Sequence, residues 1–183
     1  MTGAPSHDGF AVAVTIDDTR VREALAALVV AAGDMRRAFD DIGASLTVST
    51  QERFARETDP SGGAWKPLSP ATILARLHRR FGSDLRTKKG EYRKPVAREL
   101  GGMKILQDAG HLRGGIHHVA SADGVDVGSD RVYARIQQFG GQAGRGRKVT
   151  IPARPFLGLS PDDETMIVDT LRRHWERAVG VGT

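Results

Sequence analysis

Phe10, Val12, Val14 and Ile16 alternate with small residues, a period of two that predicts an opening strand with one buried face. Asp17 and Asp18 follow and offer carboxylates to the free N–H groups of a helix start. Val21, Leu25, Leu28, Val29 and Ala32 then recur on a single helical face. Gly33 and Asp34 interrupt that stripe, and Met35, Phe39, Ile42 and Leu46 resume it toward Phe54. The pattern predicts a kinked long helix or two consecutive helices, ending before Asp59-Pro60-Ser61-Gly62-Gly63, where proline and glycine stop a helix.

Two further helix starts are written in the same way. Ser69-Pro70 and Ser160-Pro161 each place a capping hydroxyl before a proline, which is favoured at the first helical position because its missing N–H would have no partner there. Ile73, Leu77 and Phe81 line one side of the first helix. In the second, Asp162, Asp163 and Glu164 complement the positive end, and Ile167, Leu171, Trp175 and Ala178 form an apolar stripe. Between them, Ile116–Ala120 and Val125–Val127 flank an Asp123-Gly124 turn and predict a hairpin. A short helix over Val132–Phe139 is closed by Gly140, and Val149–Ile151 and Arg154–Leu157 are expected to be extended. The order lacks regular βαβ alternation and implies an α+β fold: an N-terminal strand and long amphipathic helices on a small antiparallel sheet with a hairpin, closed by a C-terminal helix.

Composition narrows the classes. The 183 residues suit a single domain over 1–183, and 39% hydrophobic with 27% charged residues is a globular balance. The chain has no cysteine, which excludes disulfides, thiol catalysis and thiolate metal sites. Its longest apolar run, Ala24–Ala32, is too short to suggest a membrane span. The first residues lack a basic start and an apolar stretch, so a cytoplasmic protein is expected.

Charge is concentrated. Arg76 to Arg113 contains eleven basic residues and four acids, a local +7 within a chain whose total is +5, leaving −2 for the remainder. Arg86-Thr87-Lys88-Lys89-Gly90-Glu91-Tyr92-Arg93-Lys94-Pro95 reads as an extended loop, the centre of a basic, flexible arm over about 82–104. Arg86, Lys88, Lys89, Arg93 and Lys94 could track phosphates, order against an acidic protein surface, or stay solvated. Aromatic residues make up 5% of the chain, which disfavours base stacking, so a protein partner or a solvated loop ranks above nucleic acid. Arg145, Arg147 and Lys148 form a smaller cluster in a glycine-rich loop over 140–148. That loop is expected to be mobile because glycine loses the most backbone entropy on ordering.

No catalytic pattern competes with these features. His117 and His118 are adjacent in a predicted strand and point to opposite faces, and the other histidines have no ligand-spaced partner, so no metal and no cofactor are predicted. Neither a Gly-x-Ser-x-Gly elbow nor a Walker pattern occurs. The chain is not expected to be an enzyme.

Taken together, Phe54-Ala55-Arg56-Glu57-Thr58-Asp59-Pro60-Ser61-Gly62-Gly63-Ala64-Trp65-Lys66-Pro67-Leu68-Ser69-Pro70-Ala71-Thr72, Ile105–Arg113 (ILQDAGHLR), Tyr133–Gly140 (YARIQQFG) and Ile151–Ser160 (IPARPFLGLS) resemble blocks of the phage virion morphogenesis family of tail-completion proteins. The resemblance implies a structural protein that completes the tail and helps form the head–tail joint. It would sit in the neck of the virion, at the head-proximal tail end, and in the host cytoplasm during assembly. Implied partners are further copies of itself, for which a hexameric ring suits tail symmetry, and other tail, tail-terminator or head-connector proteins. The runner-up reading is a small basic nucleic-acid-binding protein, and a non-specific DNA contact stays open. The chain departs from the family pattern at Gln137, where histidine is frequent, and at Ala109, where threonine is usual. Tyr133, Phe139 and Phe156 are expected in the core. Arg154 either anchors a neighbouring carboxylate or satisfies loop carbonyls, and joins the basic residues above as a candidate assembly contact.

Overall fold

In the computed structural model, residues 35–178 are described. The predicted opening strand Phe10–Ile16 and first helix Val21–Ala32 lie outside them. The resumed stripe forms one helix, α1 (Arg36–Arg56), whose inward face carries Ala38, Phe39, Ile42, Leu46 and Phe54 at the predicted spacing. It ends at Glu57, which takes a left-handed conformation (φ 59°) and turns the chain into the Asp59–Gly63 loop. There Asp59 Oδ1 accepts hydrogen bonds from Ser61 N, Ser61 Oγ and Gly63 N. These bonds, led by that from the Ser61 hydroxyl, hold the Asp59 carboxyl below its ordinary pKa.

Helix α2 (Pro70–Phe81) starts as predicted, with Ser69 Oγ accepting from Thr72 N at 3.2 Å. The stretch expected as an extended loop within the 82–104 arm is more ordered than its composition suggested. Arg86 and Tyr92 close a small antiparallel bridge, and α3 (Lys94–Gly102) follows, tolerating Pro95 in its first turn. Leu77, Leu85 and Val96 are buried together, with Ile73, Phe81, Tyr92 and Met103 packed around them. This satellite core is the physical reason the segment folds back on α2.

A single turn, α4 (His111–Gly114), leads into the predicted hairpin. Strands β1 (Ile116–Ala120) and β2 (Val125–Ser129) pair antiparallel with Ala120 opposite Val125, and Ser121 Oγ accepts from the Asp123 and Gly124 N–H groups in the turn. Helix α5 (Ala134–Phe139) is shorter than the expected Val132–Phe139. The glycine-rich segment expected as a loop instead builds a second antiparallel pair, β3 (Gly141–Ala143) with β4 (Val149–Ile151), around a 3₁₀ turn at Arg145–Arg147. Gly140 must be glycine: its φ is +72°, and a Cβ would lie 2.7 Å from Ala153 N. Helix α6 (Pro161–Ala178) closes the described chain.

The main core has two parts. Met35 at the N-cap of α1 and Ala38, Phe39, Ile42 and Leu46 within it meet Val125 and Val127 of β2 and Met166, Ile167 and Leu171 of α6. Gly43 lets the hairpin approach α1, since a Cβ there would lie 2.5 Å from the His118 ring and 2.7 Å from Val125 Cγ2. The other part contains Phe54, Trp65, Leu112, Ile116, Ala134 and Phe156. Four separated sequence blocks thus supply one cluster, in which the Phe54 ring lies 5.3 Å from both Trp65 and Phe156. The α+β architecture with a hairpin and a C-terminal helix is the one the sequence predicted.

Candidate functional site

Two buried arginines organise this half of the molecule. Arg53 falls on the apolar stripe of α1 and is 6% exposed. Its guanidinium donates to Phe156 O (3.0 Å), Gly158 O (2.8 Å) and Ser49 Oγ (3.1 Å), and pairs with Asp163. Asp163 also accepts from Ser160 N and Oγ, while Ser160 Oγ accepts from Asp163 N, a reciprocal cap on α6. Burial pushes the Asp163 carboxyl up, but hydrogen bonds from Ser49 and Ser160 and the charge of Arg53 outweigh it and hold the group below its ordinary pKa. Burial lowers the pKa of Arg53 against the opposing pull of Asp163.

Arg154, also 6% exposed, settles between the alternatives its neighbours left open. Its Nε donates to Lys66 O at 2.7 Å and its Nη2 to Pro67 O at 2.8 Å. The same wall is tied by Trp65 Nε1, which donates to Pro155 O at 2.7 Å, and by Gln138, whose Oε1 accepts from the Phe156 and Leu157 N–H groups. Burial lowers the pKa of Arg154, and the charge of Arg76 lowers it further. Of the two roles the sequence left open for Arg154, the structure shows the bonding of loop carbonyls.

Outside this wall lies a cleft of about 520 Å³. All four blocks that carry the family resemblance reach it: Leu68 and Thr72 from the first, Leu106 and His111 from the second, Tyr133 and Gln137 from the third, Ile151 and Arg154 from the fourth. Arg76 and Arg79 enter from α2 and share Asp108, at 3.6 Å and 2.5 Å. Tyr133 and Val149 stand at the cleft 41% and 52% exposed. Tyr133, at the N-cap of α5, and Phe139, its last residue, are thus exposed and not core residues as expected, whereas Phe156 is fully buried.

The remaining predicted contacts fall in two places. At the turn after α2, the Arg86 guanidinium lies 4.1 Å from the Tyr92 ring centroid and donates to Gly90 O, and Arg93 pairs with Asp84. Lys88, Lys89 and Lys94 are exposed there. Arg145, Arg147 and Lys148 are exposed at the turn of the β3–β4 hairpin. Arg80 pairs with Glu99, so several charges that made the segment look like one free basic arm are matched within it. His117 and His118 take opposite faces of β1, with His118 bonded to Thr47 and Asp40. No group of three or more His, Asp or Glu side chains suited to a metal occurs among the described residues.

Sequence reasoning missed Arg53, Arg76 and the role of Gln138. For Arg53 a signal existed, a charge at a core position of the α1 stripe. For the cleft residues none did, because their meeting depends on packing between distant blocks.

The model of the phage virion morphogenesis family matches residues 16–176. Mu-like prophage FluMu G protein 2 of Haemophilus influenzae is 56% identical over 50 residues, a match covering 27% of this chain and 36% of that protein. The putative capsid assembly protein G of Escherichia phage Mu is 29% identical over 171 residues, 91% of this chain and 95% of that one. No solved structure matches.

Proposed function

Because this chain belongs to the phage virion morphogenesis family, we propose that it completes the phage tail and helps form the head–tail joint, acting as an oligomer at the head-proximal tail end. The observation that carries this reading is the match over residues 16–176. The phage Mu relative is named a putative capsid assembly protein, which supports a part in virion assembly. A structural role is supported by the buried polar groups of the main core, since Arg53, Asp163, Arg154 and Gln138 brace loops and a helix cap. No helix among the described residues is long and apolar enough to cross a membrane. A closed ring needs complementary surfaces on each subunit. Among the described residues the exposed basic turns at Lys88–Lys89 and Arg145–Lys148 and the cleft are candidate surfaces for neighbours.

The test is a null allele in the element that carries this gene, complemented by the intact chain. Electron micrographs of the null should show filled heads and separate tails, and complementation should restore joined particles. Joined, infectious particles from the null would remove the reading.

A further inference from the structure

We propose that the cleft between α2, α4, α5 and β4 is a docking site for an extended segment of a partner protein. A carboxylate of that segment would meet Arg76 and Arg154, and an adjoining apolar side chain would cover Tyr133 and Val149. The proposal deepens the assembly reading by naming a surface, and rests on it only for the existence of a protein partner.

The charge balance asks for an anion. Buried charges are ordinarily paired, yet among the described residues the side-chain hydrogen bonds of Arg154 go to carbonyls, and the like charge of Arg76 acts against its own. Arg76 must share Asp108 with Arg79, so the cleft keeps a positive excess. A carboxylate at its floor would offset that excess.

The other groups select a peptide over a phosphate. Tyr133 and Val149 offer apolar surface that a nucleic-acid backbone would leave uncovered. Among the described residues strand β4 pairs only with β3, its residues Val149, Thr150 and Ile151 line the cleft, and an extended segment can pair with a strand that has an open edge.

The experiment selects from a displayed library of random peptides about a dozen residues long on the full chain. Val149→Asp and Arg79→Glu serve as cleft variants, both at exposed side chains and both checked by thermal melting for an intact fold. The expected winners place Asp or Glu beside an apolar residue. Once synthesised, they bind each folded variant at least about tenfold more weakly than the parent chain. The proposal is overturned if nothing is enriched over Val149→Asp, if the winners lack acids, or if the variants bind equally well. Displacement of the peptide by a short DNA duplex would assign the cleft to phosphate. Loss of a parental oligomer on Val149→Asp would assign it to a second copy, and either result also overturns the proposal. Joined particles at normal yield from Val149→Asp would remove this proposal and leave the neck reading intact, whereas joined particles from the null would remove the neck reading alone.

Discussion

Replacing Asp163 by asparagine is expected to lower the unfolding free energy by about 3–5 kcal/mol, the cost of removing one partner from a buried ion pair. The asparagine side chain would nearly fill the same volume, so the loss is one of charge and hydrogen bonding. The Arg53 guanidinium would remain buried without a counter-charge, still fixed by Phe156 O, Gly158 O and Ser49 Oγ. The Ser160 N–H and hydroxyl would also lose a charged acceptor. A domain of this size has only about 5–15 kcal/mol in hand, so the change should be plain in urea unfolding at pH 7. The pH dependence has a definite sign. The folded Asp163 pKa lies below the ordinary 3.8, so its stabilisation is fully present above the unfolded value and is lost as pH falls through the folded one. The difference between parent and Asp163→Asn should therefore be constant near neutrality and shrink below about pH 4. A difference under about 1 kcal/mol at pH 7, no more than a surface ion pair supplies, would contradict the role given to this pair.

Phe156→Ala should cost about 3–5 kcal/mol through a different mechanism, the cavity left where a large ring was removed. Phe156 is fully buried, and its ring packs against Phe54, which in turn meets Trp65 edge-on. Its backbone N–H and C=O keep their bonds to Gln138 and Arg53 whatever the side chain, so the alanine variant isolates packing. Trp65 lies in the same cluster and reports on it. In a Trp175→Phe background its fluorescence should change in the folded variant, and the denaturant midpoint should fall with little change in slope. An unchanged midpoint would mean that the cluster built by the four blocks is not what holds them together.

Much of this was legible in the sequence wherever one local rule decided the outcome. The α1 stripe at Phe39, Ile42 and Leu46, the Ser69-Pro70 and Ser160-Pro161 starts, and the Asp123-Gly124 turn each follow from spacing or from a side chain answering a nearby backbone group. Other features were decided by contacts far along the chain. The Lys94–Gly102 helix was hidden by Pro95, Gly101 and Gly102, and it exists because Val96 packs on Leu77 and Leu85. The glycine-rich 140–148 segment looked too costly to order, but pairing with Val149–Ile151 supplies partners for its backbone. Asp163 was assigned to the helix dipole, which concealed its larger part as the counter-charge of Arg53. Tyr133 and Phe139 carried an aromatic signature of burial, yet a six-residue helix has one inward side, and Ala134 and Gln138 occupy it.

The charge distribution changes meaning on the same grounds. The +7 segment suggested one free arm, but Arg80 pairs with Glu99, Arg93 with Asp84, and Arg76 and Arg79 share Asp108. Lys88, Lys89, Lys94, Arg98, Lys104 and Arg113 stay exposed in that segment, and Arg145, Arg147 and Lys148 at the β3–β4 turn, features suited to docking on neighbours. The cleft then contributes concavity and a buried positive excess, which the basic turns do not.

The central claim, a place at the joint between head and tail, is tested most directly by immunogold labelling of purified particles, using an antibody against a short epitope fused after Thr183. Gold confined to the head-proximal end of the tail is the predicted result. Particles that lack the chain, or gold spread along the tail or over the head, would contradict it.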